Sequence, residues 1–319
     1  MNETDAIVYA LSTEYGLPLE VVGSLGTWGT HRRLCLRTAR IGGHGQFFAK
    51  EQMLSASPRQ FLTAVEANAV AASSGLAPSP VVSRAGELVV SVDGRLWTLT
   101  EWCTGKAGSR ADLSLAGQRL AALHQALAVL RARVSWSLPP DRASKCPDTA
   151  GPLVDRLNLL RCAVSDGVWH AVEPVLRRIG DLPWSTMSTG VIHGEVALDN
   201  MLVCSRNVIW IDFDRVRLGY LAWDIAQLVA FWAVSRPTGP ISRAELCEAA
   251  LTEVVDGYAQ IDFDNDRAMT VTMEARALLP VALICAWISH TDLDDSALPT
   301  ASDLEYGTRV VAALANRLL

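Results

Sequence analysis

The sequence predicts an α+β fold of two lobes, a β-rich N-terminal lobe over residues 1–104 and a mainly helical C-terminal lobe over residues 105–319. Three features carry that prediction. Glycine-punctuated, strand-like segments with one main helix occupy the first hundred residues. Leu120, Leu123, Leu127 and Leu130 recur at helical spacing and open a run of helical patterns after Gly105. A lone apolar hairpin then interrupts that run from Met201 onward.

Residues 4–15 read as a short helix, and from Val21 strand-like segments are broken by Gly23, Gly26, Gly29, Gly42, Gly43 and Gly45. Residues 46–50 form a strand in this reading. Ser57-Pro58 supplies an N-cap followed by proline at the first helical position, and Gly75 closes the helix. Within it Leu62, Glu66 and Ala69 share one side, which sets the Glu66 carboxylate at the edge of the apolar face, able to point inward. Strands over 87–91 and 96–101 flank Asp93-Gly94, a tight hairpin turn. The lobe boundary falls near 102–105, and Asp112 caps the leucine-spaced helix. Pro139, Pro140 and Pro147, with Pro152 nearby, make 138–151 a loop inside the second lobe. The interrupting hairpin runs over 201–204, turns at Ser205-Arg206-Asn207 and returns over 208–213.

With 319 residues, half of them apolar, the chain can bury a sizeable core. A net charge of −6 argues against nucleic acid as partner, because phosphate backbones are bound by concentrated basic surface. The seven cysteines are scattered and never form a C-x-x-C pair, which speaks against a disulfide framework or a zinc site and points to reducing cytosol. No basic segment followed by a long apolar run opens the chain, and the apolar stretch over 278–288 is too short to cross a bilayer. The expectation is a soluble, cytoplasmic protein with no membrane partner.

The chemistry concentrates at the two ends of the hairpin. His193-Gly194-Glu195 precedes it, Asn200 follows five residues after Glu195, and Asp212-Phe213-Asp214 ends the second strand. Phosphoryl transfer needs such a set: one carboxylate to orient or deprotonate an acceptor hydroxyl, and an amide oxygen plus another carboxylate to hold magnesium against phosphates. The hairpin between them is expected to bring Asn200 and Asp212 together.

At these residues the chain resembles the aminoglycoside phosphotransferase family and its choline kinase-like members. VIHGEVALDN is similar to the family's H-G-D-x-x-x-x-N catalytic loop, and WIDFD to its metal-binding I-D-F/W-D/E. Gly219 and Trp223-Asp224-Ile225-Ala226 resemble its G-x-x-x-x-D-L-A ending, whose aspartate is a structural hydrogen-bonder. The resemblance implies a bilobal, protein-kinase-like fold, with ATP (or GTP) and Mg2+ as cofactors and Asn200 and Asp212 as metal ligands. It implies that Lys50, closing Phe47-Phe48-Ala49-Lys50, contacts the α- and β-phosphates and pairs with Glu66, and that Gly23, Gly26 and Gly29 cover the phosphates. The segment from Leu99 to Cys103 resembles the hinge whose backbone, at Glu101 and Cys103, holds adenine; Leu120-Ala121-Ala122-Leu123-His124 resembles an L-A-x-L-H helix. The likeness runs over 21–226.

Two departures stand out. Glu195 occupies the position of the family's catalytic aspartate, one methylene longer, and a misplacement of about 1 Å can cost roughly 10²-fold in rate. The glycines are spaced G-x-x-G-x-x-G rather than G-x-G-x-x-G. Two functional readings therefore stand: a phosphotransferase acting on a hydroxyl of a small molecule such as an antibiotic-like compound, amino sugar or alcohol, or of a peptide; and a pseudokinase, or a partner-dependent Ser/Thr kinase-like protein of peptide natural-product modification. His193 is read as a brace of the catalytic loop in preference to a general base, and His124 as a packed helix residue. Asp214 either takes a second metal or caps the strand end. Asp199, next to Asn200, points elsewhere in this reading. Asp262, Asp264 and Asp266 imitate an EF-hand start, but Arg267 and Met273 stand where its glycine and glutamate belong. Asp292, Asp294, Asp295 and Glu305 read as solvated loop or as attraction for a cationic acceptor.

Overall fold

The computed structural model describes residues 2–28, 31–38, 45–52, 57–134, 166, 170, 173, 177, 184–204, 207–234, 240–261 and 265–291. The loop over 138–151, Gly29, Gly42, Gly43, Ser205, Arg206, Asp262, Asp264 and the acidic positions from Asp292 to Glu305 lie outside these. The chain forms two compact units, Met1–Lys106 with Ile209–Asp214, and Ala107–Val208 with Arg215–Leu319.

The first unit is built on an antiparallel sheet of β1 (Leu19–Trp28), β2 (His31–Thr38), β3 (Gln46–Glu51), β4 (Val89–Val92) and β5 (Arg95–Glu101), in the order β1-β2-β3-β5-β4. Period-2 alternation divides its two faces. Leu34 and Leu36 of β2, Phe47 and Ala49 of β3 and Trp97 and Leu99 of β5 are buried in one cluster with Ile7, Val8, Leu11 and Tyr15 of α1 (Glu3–Tyr15). Asn2 caps α1, its side chain accepting from the Asp5 N–H at 2.8 Å. The other face carries Arg33, Cys35, Phe48, Lys50, Thr98 and Thr100. Asp93 and Gly94 both take positive φ, 51° and 75°, which a two-residue hairpin turn of type I′ requires.

Helix α2 (Pro58–Ser73) begins where Ser57 and Pro58 indicate, the Ser57 hydroxyl accepting the Gln60 N–H at 3.2 Å. Beside Lys50 in sequence but on the core face, the Glu51 carboxylate is fully buried, accepting from the Arg32 N–H at 3.0 Å and from Arg95 at 2.9 Å. Paired in this way, the buried charge is tolerated. The segment Ile209–Asp214 joins this unit through the Trp210 N–H, which donates to the Leu76 carbonyl at 2.8 Å.

After the two-residue strand β6 (Lys106–Ala107), the second unit contains α3 (Leu113–Leu127), β7 (Thr189–Ile192), β8 (Met201–Cys204), β10 (Arg217–Tyr220), α4 (Leu221–Val234), α5 (Pro240–Ala259) and α6 (Asn265–Thr291). β7 and β10 pair antiparallel, and β9 (Asn207–Trp210) returns from β8. The expected second strand of this hairpin ends three residues early, because Asp212 adopts a left-handed φ of 66° that an extended strand does not admit. Asp112 also departs from expectation. A 3-10 turn (Arg110–Asp112) precedes α3, and the Asp112 carboxylate reaches back to the Ser109 N–H (3.0 Å) and hydroxyl (2.6 Å) rather than forward into the helix.

Helix α4 is buried on nearly every side, consistent with its almost wholly apolar sequence. Helices α3 and α5 approach through two glycines. A Cβ on Gly117 would stand 2.0 Å from the Val254 carbonyl oxygen, and one on Gly257 would stand 2.0 Å from that of Ser114. Both obstacles are backbone, so they do not swing aside. Helix propensity alone favours Gly117→Ala by roughly 1 kcal/mol, whereas overpacking costs about 1–3 kcal/mol. Gly117→Ala is therefore expected to lower the urea midpoint of unfolding; a raised midpoint would show that the helices separate freely. Among the described residues no helix is long and apolar enough to cross a membrane.

Candidate active site

Lys50 is the centre of a charged cluster in the first unit. Its Cα lies opposite Arg33 on β2 and Thr98 on β5, and its side chain projects from the face opposite the apolar core. Two carboxylates from the segment after β9 meet it: Asp212 Oδ1 at 2.6 Å and Asp214 Oδ2 at 2.8 Å from Nζ. Asp212 Oδ2 also lies 3.2 Å from an Arg33 guanidinium nitrogen. Burial alone would push the Lys50 ammonium down, but Asp212 and Asp214 outweigh it and hold the group above the ordinary lysine value. A raised pKa means that this stabilisation is complete below the ordinary value and disappears as pH rises through the folded one, so it is present at neutral pH.

Local backbone geometry aims these carboxylates. The φ of 66° at Asp212 is a sparsely populated conformation for a residue with a Cβ, tolerated best by Asp and Asn. Gln60, near the start of α2, donates to the Asp214 carbonyl at 3.1 Å and so fixes the chain just past the bend. The resemblance implies that Lys50 pairs with Glu66. Lys50 instead pairs with Asp212 and Asp214, which converge on its ammonium, while Glu66 stands half-buried on α2. Glu101 ends β5, its N–H donating to Ser79 at 2.8 Å; the Trp102 N–H donates to Gln46 at 2.9 Å, and half-buried Cys103 follows. Gly26 lies in β1 where the pairing with β2 shifts register between Ser24 and Thr27.

In the second unit the candidate residues lie on the loop after β7. Asp224, fully buried near the start of α4, accepts from the His193 N–H at 2.8 Å and the Gly194 N–H at 2.9 Å. It also meets His124 Nε2 at 3.0 Å. Burial would push this carboxyl up; hydrogen bonding and charge from His124, the nearby His193 and the Gly194 N–H outweigh it and hold Asp224 below the ordinary aspartate value. An ionised carboxylate requires a donor at His124 Nε2. The other ring nitrogen, His124 Nδ1, lies 2.9 Å from the Tyr258 hydroxyl, which burial keeps protonated. One residue beyond Glu195, the Val196 N–H donates to Gln227 at 2.8 Å.

Gly194 could not be another residue. Its φ is 80°, and a Cβ would lie 2.2 Å from an Arg217 guanidinium nitrogen and 2.3 Å from the Arg215 carbonyl oxygen. The next side chain, Glu195, places Oε2 3.6 Å from Arg215 Nε. Asn200 closes a short turn by donating Nδ2 to the Glu195 carbonyl at 2.9 Å. Because a carbonyl only accepts, the nitrogen must face Glu195, and the amide oxygen is the atom Asn200 can present to a cation. Asp199 beside it is exposed. An amide oxygen, like a carboxylate oxygen, is a hard donor of the kind magnesium takes, so the chemistry of Asn200 and, separately, of Asp212 fits that ion.

Several contributors escaped the sequence reading. Gln227 was within reach of it, three residues beyond Asp224 on one helix face. Arg33 depends on strand register, and Tyr258 on a contact between distant helices, neither of which a local pattern encodes.

The phosphotransferase enzyme family (APH) matches residues 29–263 of the chain, and no curated protein sequence matches it. Among solved structures, amicoumacin kinase hAmiN in complex with AMP-PNP, Ca2+ and Ami is 14% identical, covers 98% of this chain and 93% of its own, and superposes with a TM-score of 0.62. An aminoglycoside phosphotransferase from Alicyclobacillus acidocaldarius is 16% identical, with 97% and 96% covered and a TM-score of 0.60. A Plasmodium vivax ethanolamine kinase is 15% identical, with 98% and 89% covered and a TM-score of 0.59. At these identities the likeness establishes the fold, which is α+β and protein-kinase-like. The family match takes in Lys50, Glu195, Asn200, Asp212 and Asp224 together, and the chain belongs to the phosphotransferase enzyme family.

Proposed function

We propose that the protein is an ATP- and Mg2+-dependent phosphotransferase that moves the γ-phosphate to a hydroxyl of a small molecule. The observation that carries this reading is the Lys50 ammonium held between Asp212 and Asp214 on the face of the sheet that the apolar core leaves open. In this reading Lys50 binds the α- and β-phosphates, and the backbone of Glu101 and Cys103 holds the base. Asp212 and the Asn200 amide oxygen would hold magnesium. The bound metal would supply neutralisation of charge on the phosphates. Glu195 orients the acceptor hydroxyl and takes its proton as oxygen bonds to the γ-phosphorus, while the bond to the bridging oxygen breaks and its electrons leave on ADP. Asp224 keeps the loop carrying Glu195 in register from behind. The solved relatives are named for amicoumacin, aminoglycoside and ethanolamine phosphorylation, which supports a small polar acceptor.

Incubation with Mg-ATP and a panel of amino sugars, amino alcohols, nucleosides and peptides, followed by detection of phosphorylated acceptor, tests this. Glu195→Gln is expected to reduce transfer by about 10²–10⁴-fold with nucleotide affinity retained. A second reading, nucleotide binding without turnover, is favoured by the Glu195–Arg215 contact, which holds the longer carboxylate beside a cation. Transfer that Glu195→Gln leaves intact would remove the assigned role of Glu195, and binding without transfer across the panel would favour the second reading.

A further inference from the structure

We infer that Arg33 is a second phosphate-binding cation, acting beside Lys50 on the polyphosphate of the nucleotide; the inference rests on the nucleotide reading above. Arg33 and Lys50 are direct cross-strand partners on β2 and β3, so both side chains leave the same face of the sheet. Like charges set directly opposite each other destabilise a sheet. Here both are largely withdrawn from water, with side chains 24% and 10% exposed. The placement is sustained because Asp212 lies between them, one carboxylate oxygen toward each cation, with Asp214 completing the set on the Lys50 side.

Charge accounting points to the ligand. Counted by themselves, these two cations and two carboxylates sum to zero charge. If Asp212 takes a divalent cation, the cluster of metal, Arg33, Lys50, Asp212 and Asp214 carries two surplus positive charges. A polyphosphate arriving with the metal supplies the missing negative charge, and a guanidinium matches two phosphate oxygens with parallel N–H donors, which an ammonium cannot do. Arg33 is also placed two residues after the start of β2, the strand that pairs antiparallel with the glycine-bearing β1. The alternative is an arginine that only ties elements together. Arg32, the neighbouring residue, shows that alternative: it faces the other way and pairs with Glu3 and buried Glu51.

The experiment measures binding of Mg-ATP, Mg-ADP and adenosine by calorimetry to wild type, Arg33→Gln and Arg33→Lys, with folding of each checked by circular dichroism. Arg33→Gln is expected to weaken Mg-ATP by about 10–100-fold and leave adenosine within about twofold, while Arg33→Lys recovers part of the loss. Equal weakening of adenosine and Mg-ATP, or Mg-ATP affinity within about twofold of wild type in a folded variant, overturns the role of Arg33 and leaves the nucleotide reading standing. Wild type that binds none of the three overturns both. If Arg33→Gln fails to fold, the folded Arg33→Lys variant decides: a loss confined to the phosphorylated ligands supports the inference, and unchanged affinity for all three removes it.

Discussion

Asp212→Asn is expected to lower phosphoryl transfer by about 10²–10³-fold, the scale seen when one preorganised electrostatic contact is removed from a reacting group. The substitution keeps the shape of the side chain and deletes its charge, at a position whose φ of 66° asparagine accepts as readily as aspartate. The backbone bend is thereby preserved, and the loss reports on the carboxylate alone. Two consequences separate a metal ligand from a structural anion. The magnesium concentration needed for half-maximal transfer should rise, and Lys50 should remain partnered, because Asp214 still meets it at 2.8 Å. Transfer within tenfold of wild type at ordinary magnesium would sink the assignment of Asp212.

Asp224→Ala is expected to have the largest effect on stability, about 3–5 kcal/mol of unfolding free energy, because it strips a buried anion from partners that stay buried. The His193 and Gly194 N–H groups and His124 Nε2 all point at this carboxylate, and none can turn to water without moving β7 or α3. The sign with pH follows from the depressed pKa. The contribution is complete above the ordinary aspartate value of 3.8 and is lost as pH falls through the lower, folded value. The gap between wild type and variant, read from urea unfolding, should therefore be constant near neutrality and close as the solution is taken well below pH 3.8. A gap independent of pH down to that range would show that Asp224 is not ionised in the fold.

Much of the first unit could be read directly from the chain, because its signals are local. Ser57-Pro58 marks a helix start, Asp93-Gly94 marks a turn, and the alternation across β3 separates Lys50 from its apolar neighbours. The loop from His193 to Asn200 was equally legible as a segment, since its residues lie close in sequence. Harder to read were the places where an ordinary signal serves an unusual use. The apolar run into Phe213 reads as strand to its end, but the bend at Asp212 turns the carboxylate toward Lys50, and local propensity does not report that. Asp112 marks a helix start correctly, yet its side chain is drawn back by Ser109. Arg33 was invisible for a different reason: whether an arginine stands opposite a lysine depends on the register of β2 against β3, which a local pattern does not encode.

The bond from Trp210 to Leu76 also bears on dissecting the chain. A fragment ending at Lys106 looks like a self-contained sheet with two helices, but it would lack the six residues Ile209–Asp214 that return to the same unit. The Leu76 carbonyl would lose its donor, and Arg33 and Lys50 would face each other without their shared carboxylate. The unit that sets Arg33 beside Lys50 is thus completed only by a segment made more than a hundred residues later in synthesis. During synthesis, then, the charged face of the sheet acquires its counter-charges only after most of the second unit's early sequence has emerged.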